Sequence, residues 1–165
     1  MGQKYLVVSD NHGDLSNLSY VLSMFRGQIT ALIHCGDMEV PPEQIRQMAG
    51  CPVYMAQGNC DPSYGENPEE LFLLGEHVAF LTHGDAYFVN WGEEELVEKA
   101  QELGADLVFY GHTHTPAYHY YEEEGVTVLN PGSIERPRQI KPMGPTFMLL
   151  DVEDDGQIIP KLYSL

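Results

Sequence analysis

Short apolar runs alternate with amphipathic segments along most of the chain. Each apolar run has the length of a strand and is too short to show the spacing of a helix, which is typical of buried β-strands. They predict five strands, at 5–9, 31–34, 53–55, 78–82 and 107–110. Two further pairs of runs flank the turn sequences EEEG and EDDG, and each pair predicts a β-hairpin. The predicted hairpins join 117–121 to 126–129 and 146–152 to 157–163.

Three segments between the predicted strands carry apolar residues at helical spacing. They predict helices at about 15–25, 41–50 and 92–103. Asp14 is a candidate N-cap of the first helix, a proline pair opens the second, and a glycine follows or ends each of the three. A βαβαβ half followed by a strand-rich half indicates a layered α/β sandwich, in which helices flank two packed sheets.

The length and cysteine content limit the class of protein. A chain of 165 residues has the size of one domain with a substantial buried core, so we predict a single domain over residues 1–165. No apolar run approaches the roughly 20 residues of a membrane span, and we expect neither a signal peptide nor an anchor. Three cysteines without a CxxC pair suit a reducing compartment. We therefore expect a cytoplasmic protein.

Negative charge dominates the composition. The chain has 25 acidic residues against 8 lysines and arginines, a formal net charge of −17. The resulting field repels polyanions, so we expect neither a nucleic-acid polymer nor a membrane as partner. The acidic runs 93–95 and 122–124 are interpreted as a solvated helix face and a turn. Acids that cluster with histidines would instead indicate a cation site.

Polar residues that can bind a metal follow each of the first five predicted strands. In α/β sheets, ligands bind beyond the carboxyl ends of the strands, so we expect these side chains to converge. Seven donors are too many for one ion that keeps a position open for substrate, and they suit two cations that share a bridging carboxylate. The seven candidates are Asp10, His12, Asp37, Asn59, His83, His112 and His114.

Local spacing supports this convergence. In DNH (10–12) and HTH (112–114) the two outer residues should point to one side, because side chains alternate along an extended chain. Glycines at 36, 58, 84 and 111 would let the backbone turn sharply or approach the ions. Mixed nitrogen and oxygen ligation argues against calcium and structural zinc, and leaves manganese, iron, zinc or nickel open.

The chain resembles the calcineurin-like metallophosphoesterases, and within them the small bacterial and archaeal phosphodiesterases of the YfcE type. The resemblance runs through SDNHGD (9–14), HCGD (34–37), GNCD (58–61), THGD (82–85), GHTHTP (111–116) and NPGS (130–133). It implies a four-layer α/β/β/α sandwich of two mixed sheets flanked by helices. It also implies that Asp10, His12 and His114 hold one metal, that Asn59, His83 and His112 hold the other, and that Asp37 bridges them.

The resemblance further implies hydrolysis of a small phosphate ester, with phosphodiesters favoured, by attack of a metal-bridging hydroxide. Manganese is the expected metal, with nickel, iron or zinc as alternatives. Two rival functions stay open: a phosphomonoesterase or dinucleoside polyphosphate hydrolase, and a protein-binding scaffold like the retromer subunit that resembles this family. So open a metal site is also compatible with a homo-oligomer.

Three residues near the motifs are harder to interpret. Cys60 stands where many members of the superfamily have a histidine that contacts the phosphate. A thiol, with a reference pKa of about 8.5, is a weak proton donor, so we expect a substrate-facing residue that is not an essential acid. Asp61 either orients the Cys60 loop or water, or is a plain loop carboxylate. Asp85, where relatives commonly have histidine, is a candidate for indirect support of a ligand.

The remaining histidines and the basic cluster are expected to lie outside the chemistry. We interpret His34 as a packed or hydrogen-bonded structural residue, and His77 and His119 as ordinary surface residues of strands. Arg136 and Arg138 follow NPGS closely enough to reach a substrate's phosphate, but a solvated loop is the favoured interpretation.

Overall fold

The computed structural model describes residues 2–135 and 144–165, which fold into three α-helices, one short 3₁₀ helix and ten strands. The helices are α1 (Ser16–Met24), α2 (Pro42–Ala49) and α3 (Glu94–Leu103), and the 3₁₀ helix is Asp85–Tyr87. The first five strands are β1 (Gln3–Val8), β2 (Ala31–His34), β3 (Val53–Met55), β4 (Glu69–Leu74) and β5 (His77–Thr82). The last five are β6 (Leu107–Phe109), β7 (Ala117–Tyr121), β8 (Val126–Asn130), β9 (Thr146–Val152) and β10 (Ile158–Ser164).

The strands form two mixed sheets of five strands each. The order is β10-β9-β1-β2-β3 in one sheet and β4-β5-β6-β8-β7 in the other. Strands β1, β2 and β3 run parallel, as do β5, β6 and β8, whereas β4, β7, β9 and β10 pair antiparallel with their neighbours. In each sheet the carboxyl ends of the parallel strands therefore lie on the same side, beyond which ligands bind in α/β folds.

Alternation along β1 shows how the layers stack. Tyr5 and Val7 join the apolar core between the two sheets, whereas Leu6 and Val8 face outward into a second core beneath α1 and α2. A third core lies where α3 covers the outer face of the other sheet. Burying an aliphatic side chain of this size stabilises the fold by about 1.5–3 kcal/mol. The predicted α/β/β/α sandwich of two mixed sheets flanked by helices is confirmed.

The helix ends follow the predicted signals with one difference. Gly50 and Gly104 adopt the left-handed conformation at the C-caps of α2 and α3, as a glycine after a helix commonly does. Leu15 occupies the N-cap position of α1, while the Asp14 carboxylate accepts a hydrogen bond from the Ser16 N–H at 2.9 Å. The prediction of Asp14 as the N-cap is therefore one residue early. In the part of the chain that the structure describes, no helix is both long and apolar enough to cross a membrane.

Strand β4 is absent from the sequence-based prediction. It pairs antiparallel with β5 at the edge of its sheet. Phe72 packs against the core between the sheets and Leu74 is fully buried within it, but Leu71 and Leu73 point to solvent, with 49% and 72% of their surface exposed. Because both faces of β4 are apolar here, the alternation that identifies a half-buried strand is missing.

Candidate metal centre

The seven predicted metal-binding side chains lie together beyond the ends of β1, β2, β3, β5 and β6. Their donor atoms form two groups, each within 4.8 Å, namely Asp10, His12 and His114 in one and Asp37, His83 and His112 in the other. Oδ1 of Asn59 lies 3.2 Å from Nδ1 of His112, and so adjoins the second group. The convergence predicted from the strand ends is therefore present.

Asp37 lies between the two groups. Its Oδ2 is 3.1 Å from Nε2 of His83 and 4.0 Å from Nε2 of His12. Nε2 of His83 is in turn 3.8 Å from Oδ1 of Asp10. The two groups are thus contiguous, with a carboxylate at their junction.

The surroundings of Asp10 test whether a cation fits. Among the described residues, Oδ1 of Asp10 is the buried side-chain atom without a hydrogen-bond partner. Three imidazole Nε2 atoms face it, those of His114 at 3.3 Å, His12 at 3.5 Å and His83 at 3.8 Å. A buried carboxylate oxygen normally has a partner, and nitrogen and oxygen donors that converge on one point are a transition-metal ligand set. The residues present therefore fit a divalent cation.

Electrostatics at the centre favours positive charge. Burial by itself would raise the pKa of Asp10, but the neighbouring imidazoles of His114 and His12 hold that pKa well below its usual range. Burial likewise opposes the charged form of His83, yet its hydrogen bond with Asp37 raises the pKa of His83 to about 9. Both effects arise because buried opposite charges stabilise each other. The carboxylates stay ionised and draw cations into the crevice.

The backbone at the centre adopts an unusual conformation. Non-glycine residues with positive φ are rare, because Cβ then crowds the backbone. Five of the seven in the described chain are predicted ligands: Asp10 (φ 57°), His12 (46°), Asp37 (58°), His112 (69°) and His114 (60°). The expectation that DNH and HTH are extended is therefore wrong. Their outer residues converge because the chain turns through the left-handed region, where strain concentrates at functional sites.

Two hydrogen bonds orient the imidazoles. Nδ1 of His83 donates to the carbonyl oxygen of Cys35 at 2.7 Å, and Nδ1 of His12 donates to Oε2 of Glu39 at 2.7 Å. Each fixes a proton on Nδ1, so Nε2, which faces the cluster, is the nitrogen that would bind a metal after losing its own proton. Sequence reasoning missed Glu39, although an acid two residues after Asp37 was a usable signal.

Asp61 organises the loop that carries Asn59 and Cys60. Its carboxylate accepts backbone N–H hydrogen bonds from Asp37 at 2.9 Å, Glu39 at 2.7 Å and Gly58 at 2.8 Å. Of the two interpretations left open for Asp61, the structure therefore supports the one in which it orients the loop.

The NPGS segment fastens the two histidine-bearing loops. Nδ2 of Asn130 donates to the carbonyl oxygen of Gly111 at 3.1 Å, and Oγ of Ser133 donates to the carbonyl oxygen of Asp10 at 2.9 Å. The segment thus holds the loops after β1 and β6 in register through backbone atoms. Its contribution to the centre is structural.

Cys60 is exposed at the rim of the centre. Its Sγ lies within 4.8 Å of donor atoms of both His12 and Asp37. Partial burial and the negative charge of Asp37 raise the pKa of the thiol to about 11. A thiol that keeps its proton is a poor nucleophile. Burial and the charge of His83 lower the pKa of His112, and the charge of Asp85, which is exposed on the 3₁₀ helix, partly opposes this shift.

The three other predicted histidines differ in outcome. His34 is buried, accepts the Gly36 N–H at Nδ1 and donates from Nε2 to Asn11, which confirms its structural role. His119 is exposed on β7, as predicted, whereas His77 on β5 is half-buried. Nδ1 of His77 contacts Asp106 at 2.7 Å, and that of His119 contacts Glu93 at 2.6 Å. Arg136 and Arg138 lie outside the described residues.

Glu93 departs from the interpretation of 93–95 as a solvated face. Its side chain is buried and accepts hydrogen bonds from the hydroxyls of Tyr110 and Tyr121 and from His119. These donors compensate the cost of burying a carboxylate. The sequence could not show this, because the partners come from β7 and the end of β6.

His34 makes stability depend on pH. Complete burial lowers its pKa from 6.5 to about 4, so between these values the unfolded chain binds more protons than the folded one. The contribution of His34 to the free energy of unfolding is therefore expected to rise with pH from about 4 to 6.5, by up to about 3 kcal/mol, and to stay constant above that range. Urea unfolding across this range checks it, and H34Q should remove that part of the slope. An unchanged slope in H34Q would contradict the assignment.

The comparison with protein families agrees with this geometry. Residues 4–155 match the calcineurin-like phosphoesterase superfamily domain. The chain is 29% identical over 154 residues to a probable metallophosphoesterase, YsnB, from Bacillus subtilis, which covers 93% of this chain and 87% of that protein. It is 34% identical over 144 residues to a probable metallophosphoesterase from Methanothermobacter thermautotrophicus, with coverage of 84% and 80%.

Solved structures show the same architecture. A conserved uncharacterised protein of Streptococcus pneumoniae, a predicted phosphoesterase, superposes with a TM-score of 0.81 at 26% identity and covers 100% of this chain and 99% of its own. The phosphoesterase YfcE of E. coli and a zinc complex of Vps29 from Entamoeba histolytica each have 22% identity, with TM-scores of 0.68 and 0.77 and coverage of 98% and 99%. These two likenesses concern the fold alone. With matching motifs, fold and family domain, the chain belongs to the calcineurin-like phosphoesterase superfamily.

Proposed function

We propose that the protein is a dinuclear metal-dependent phosphoesterase that hydrolyses small phosphodiesters. The observation that carries the proposal is the pair of contiguous donor groups with Asp37 at their junction. In this proposal Asp10, His12 and His114 bind one cation, Asn59, His83 and His112 bind the other, and Asp37 bridges them. When bound, such cations polarise a phosphoryl group and make water a stronger nucleophile at neutral pH.

The protein's own residues set the charge of the centre. Asp10 and Asp37 supply two negative charges, whereas Asn59 would bind through a neutral carbonyl oxygen. Two divalent ions therefore keep a net positive charge in the crevice, which attracts an anionic ester in spite of the acidic surface. The donor set of imidazoles and oxygens suits manganese, nickel, iron or zinc, and we propose manganese.

The preference for diesters rests on Cys60. The thiol at the rim is a weak hydrogen-bond donor, so it gives a leaving group little help. Leaving groups that depart as stabilised anions need little protonation. Phosphodiesters carry one negative charge fewer than monoesters and suit a site surrounded by acidic residues. A phosphomonoesterase or dinucleoside polyphosphate hydrolase is the alternative.

A protein-binding scaffold is the second class considered. The Vps29 neighbours are 16–22% identical to this chain, and one of them is described in complex with a cyclic peptide. Against a pure scaffold stands the complete donor set, since all seven positions carry side chains able to bind a metal and lie in contact distance.

Metal exchange tests the proposal. Protein stripped with a chelator and reloaded with manganese is expected to hydrolyse bis-p-nitrophenyl phosphate at least about tenfold faster, by kcat/KM, than p-nitrophenyl phosphate. Nickel, zinc and magnesium are loaded in parallel, and release of p-nitrophenol is measured for each. Manganese should give the largest kcat, because it is the metal expected from the resemblance to the YfcE-type phosphodiesterases.

Two outcomes would contradict the proposal. Absence of metal-dependent turnover of either ester would contradict the enzyme hypothesis. Faster turnover of the monoester would show that the protein is a phosphomonoesterase and not a phosphodiesterase. C60S serves as the internal control, since it should retain the metal content measured by atomic emission. Loss of one ion in C60S would show that the thiol, with its contacts to His12 and Asp37, is itself a ligand.

The wider setting is also part of the proposal. We place the activity in the cytoplasm, which suits three cysteines that form no disulfide, and on one domain over residues 1–165. A small phosphate ester is the proposed partner, without nucleic-acid polymer or membrane. A homo-oligomer stays a prediction.

A further inference from the structure

A cavity of about 480 Å³ adjoins the metal centre. Asn90 lines it and places its amide nitrogen 3.3 Å from Nε2 of His112. Thr113, between the two histidines of the HTH segment, lines it as well. The volume lies in the range of about 300–1,000 Å³ that is usual for small-molecule sites. A phosphodiester whose phosphorus lies at the metal centre therefore has room for its second ester group in this cavity.

Hydrogen bonding fixes one wall of the cavity. The hydroxyls of Tyr110 and Tyr121 and Nδ1 of His119 all point to Glu93, and Glu93 is buried with 7% of its surface exposed. Burial and the hydrogen bond to Glu93 raise the pKa of Tyr121, so its hydroxyl stays protonated and remains a donor to the carboxylate. The shape of this wall is therefore set before a ligand arrives.

The rest of the lining has a distinct chemical character. The lining includes apolar side chains and hydroxyls, from Val89, Thr113, Thr115, Pro116 and Ala117. Two carboxylates lie on the lining, those of Glu93 and Glu94, and among the described residues it includes neither lysine nor arginine. A group with negative charge would be repelled here, whereas hydroxyls and ammonium groups would find acceptors.

We propose that this cavity binds the second, non-leaving ester group of the phosphodiester, and that it selects groups that are cationic or uncharged and rich in hydroxyls. The inference rests on the proposed phosphodiesterase function and narrows its substrate class. Esters of amino alcohols and of polyols fit the cavity. Dinucleoside polyphosphates do not, because their further phosphates would face Glu93 and Glu94.

Three substrates with one leaving group test the selectivity. They are p-nitrophenyl phosphodiesters whose second ester is 2-(trimethylammonio)ethyl, 4-hydroxybutyl or 2-carboxyethyl. The chemistry at phosphorus is the same in all three, so kcat/KM reports the second group. With the manganese-loaded protein, the cationic ester is expected to exceed the carboxylate ester by at least about fivefold, with the hydroxybutyl ester between them.

A pair of variants separates the cavity from the overall charge of the protein. E94Q and E95Q each remove one negative charge from the first turn of α3, where both residues are exposed, but only Glu94 lines the cavity. E94Q should lower the ratio of cationic to carboxylate ester by about threefold. E95Q changes the long-range field of the protein by the same amount but leaves the cavity lining intact. It should therefore leave that ratio as in the native protein.

The outcomes distinguish this inference from the proposed function. Equal rates for the three esters, or equal changes of the ratio in E94Q and E95Q, would overturn the cavity assignment while phosphodiesterase activity stands. Absence of turnover of all three esters with manganese, nickel, zinc or magnesium would overturn both.

Discussion

Replacing His112 by alanine is expected to lower kcat/KM for bis-p-nitrophenyl phosphate by at least about 100-fold and to reduce the number of bound metal ions. His112 lies in the second donor group, with Nδ1 3.3 Å from Nε2 of His83 and 3.2 Å from Oδ1 of Asn59. Loss of contacts that merely support a ligand already costs 10–100-fold, so loss of a ligand should cost more. Metal content by atomic emission and steady-state kinetics measure the two effects.

D85N is the matched control for H112A. Asp85 is exposed and acts on His112 by charge, so its loss should change activity by less than about tenfold and leave metal content intact. If H112A keeps both turnover and metal, the ligand assignment is wrong. If D85N loses as much as H112A, Asp85 has a more direct role than its position suggests.

Replacing Gly58 by alanine is expected to lower kcat/KM about as much as H112A does, through a steric clash alone. A Cβ atom at Gly58 would lie 2.1 Å from Oδ1 and 2.5 Å from the backbone nitrogen of Asp37. Either Asp37 or the loop after β3 must then move, and a displacement of about 1 Å at a reacting centre can cost 100-fold in rate. Activity and metal content of G58A are the measurements, and native values of both would contradict this account.

G125A provides the control for G58A. Gly125 has a φ of 69° in the β7–β8 turn, and nothing lies within 4 Å of a Cβ placed there. Its substitution should cost about 1–2 kcal/mol of stability through the left-handed backbone, measured by urea unfolding, without loss of metal. The comparison separates loss of stability from displacement of Asp37.

The residues of the centre could be predicted because their signal is local. Each strand is an apolar run, each donor follows its strand within a few residues, and parallel strands end at a shared edge. The same reasoning fails at Glu93, whose acceptor role depends on donors 17, 26 and 28 residues away. An acidic run beside a helix start is indistinguishable, in sequence, from a solvated face.

The path of the chain through the centre could not be predicted either. The spacing in DNH and HTH predicts extended segments, because alternation is the simplest way to place two residues on one side. The left-handed conformation at these positions is held by long-range contacts, such as the hydrogen bonds from the backbone nitrogens of Asp10 and His12 to the carbonyls of Gly36 and Asp37. Such contacts between separate loops leave no periodic pattern in the sequence.

The left-handed backbone also limits which ligand chemistries this scaffold can acquire. Aspartate, asparagine and histidine enter that region several times more often than other side chains, and the five left-handed predicted ligands are all aspartate or histidine. Cysteine at these positions would supply a softer donor but would meet the backbone penalty first. We therefore expect that directed evolution toward thiolate-binding metals would begin at Asn59 and His83, whose φ values are not positive.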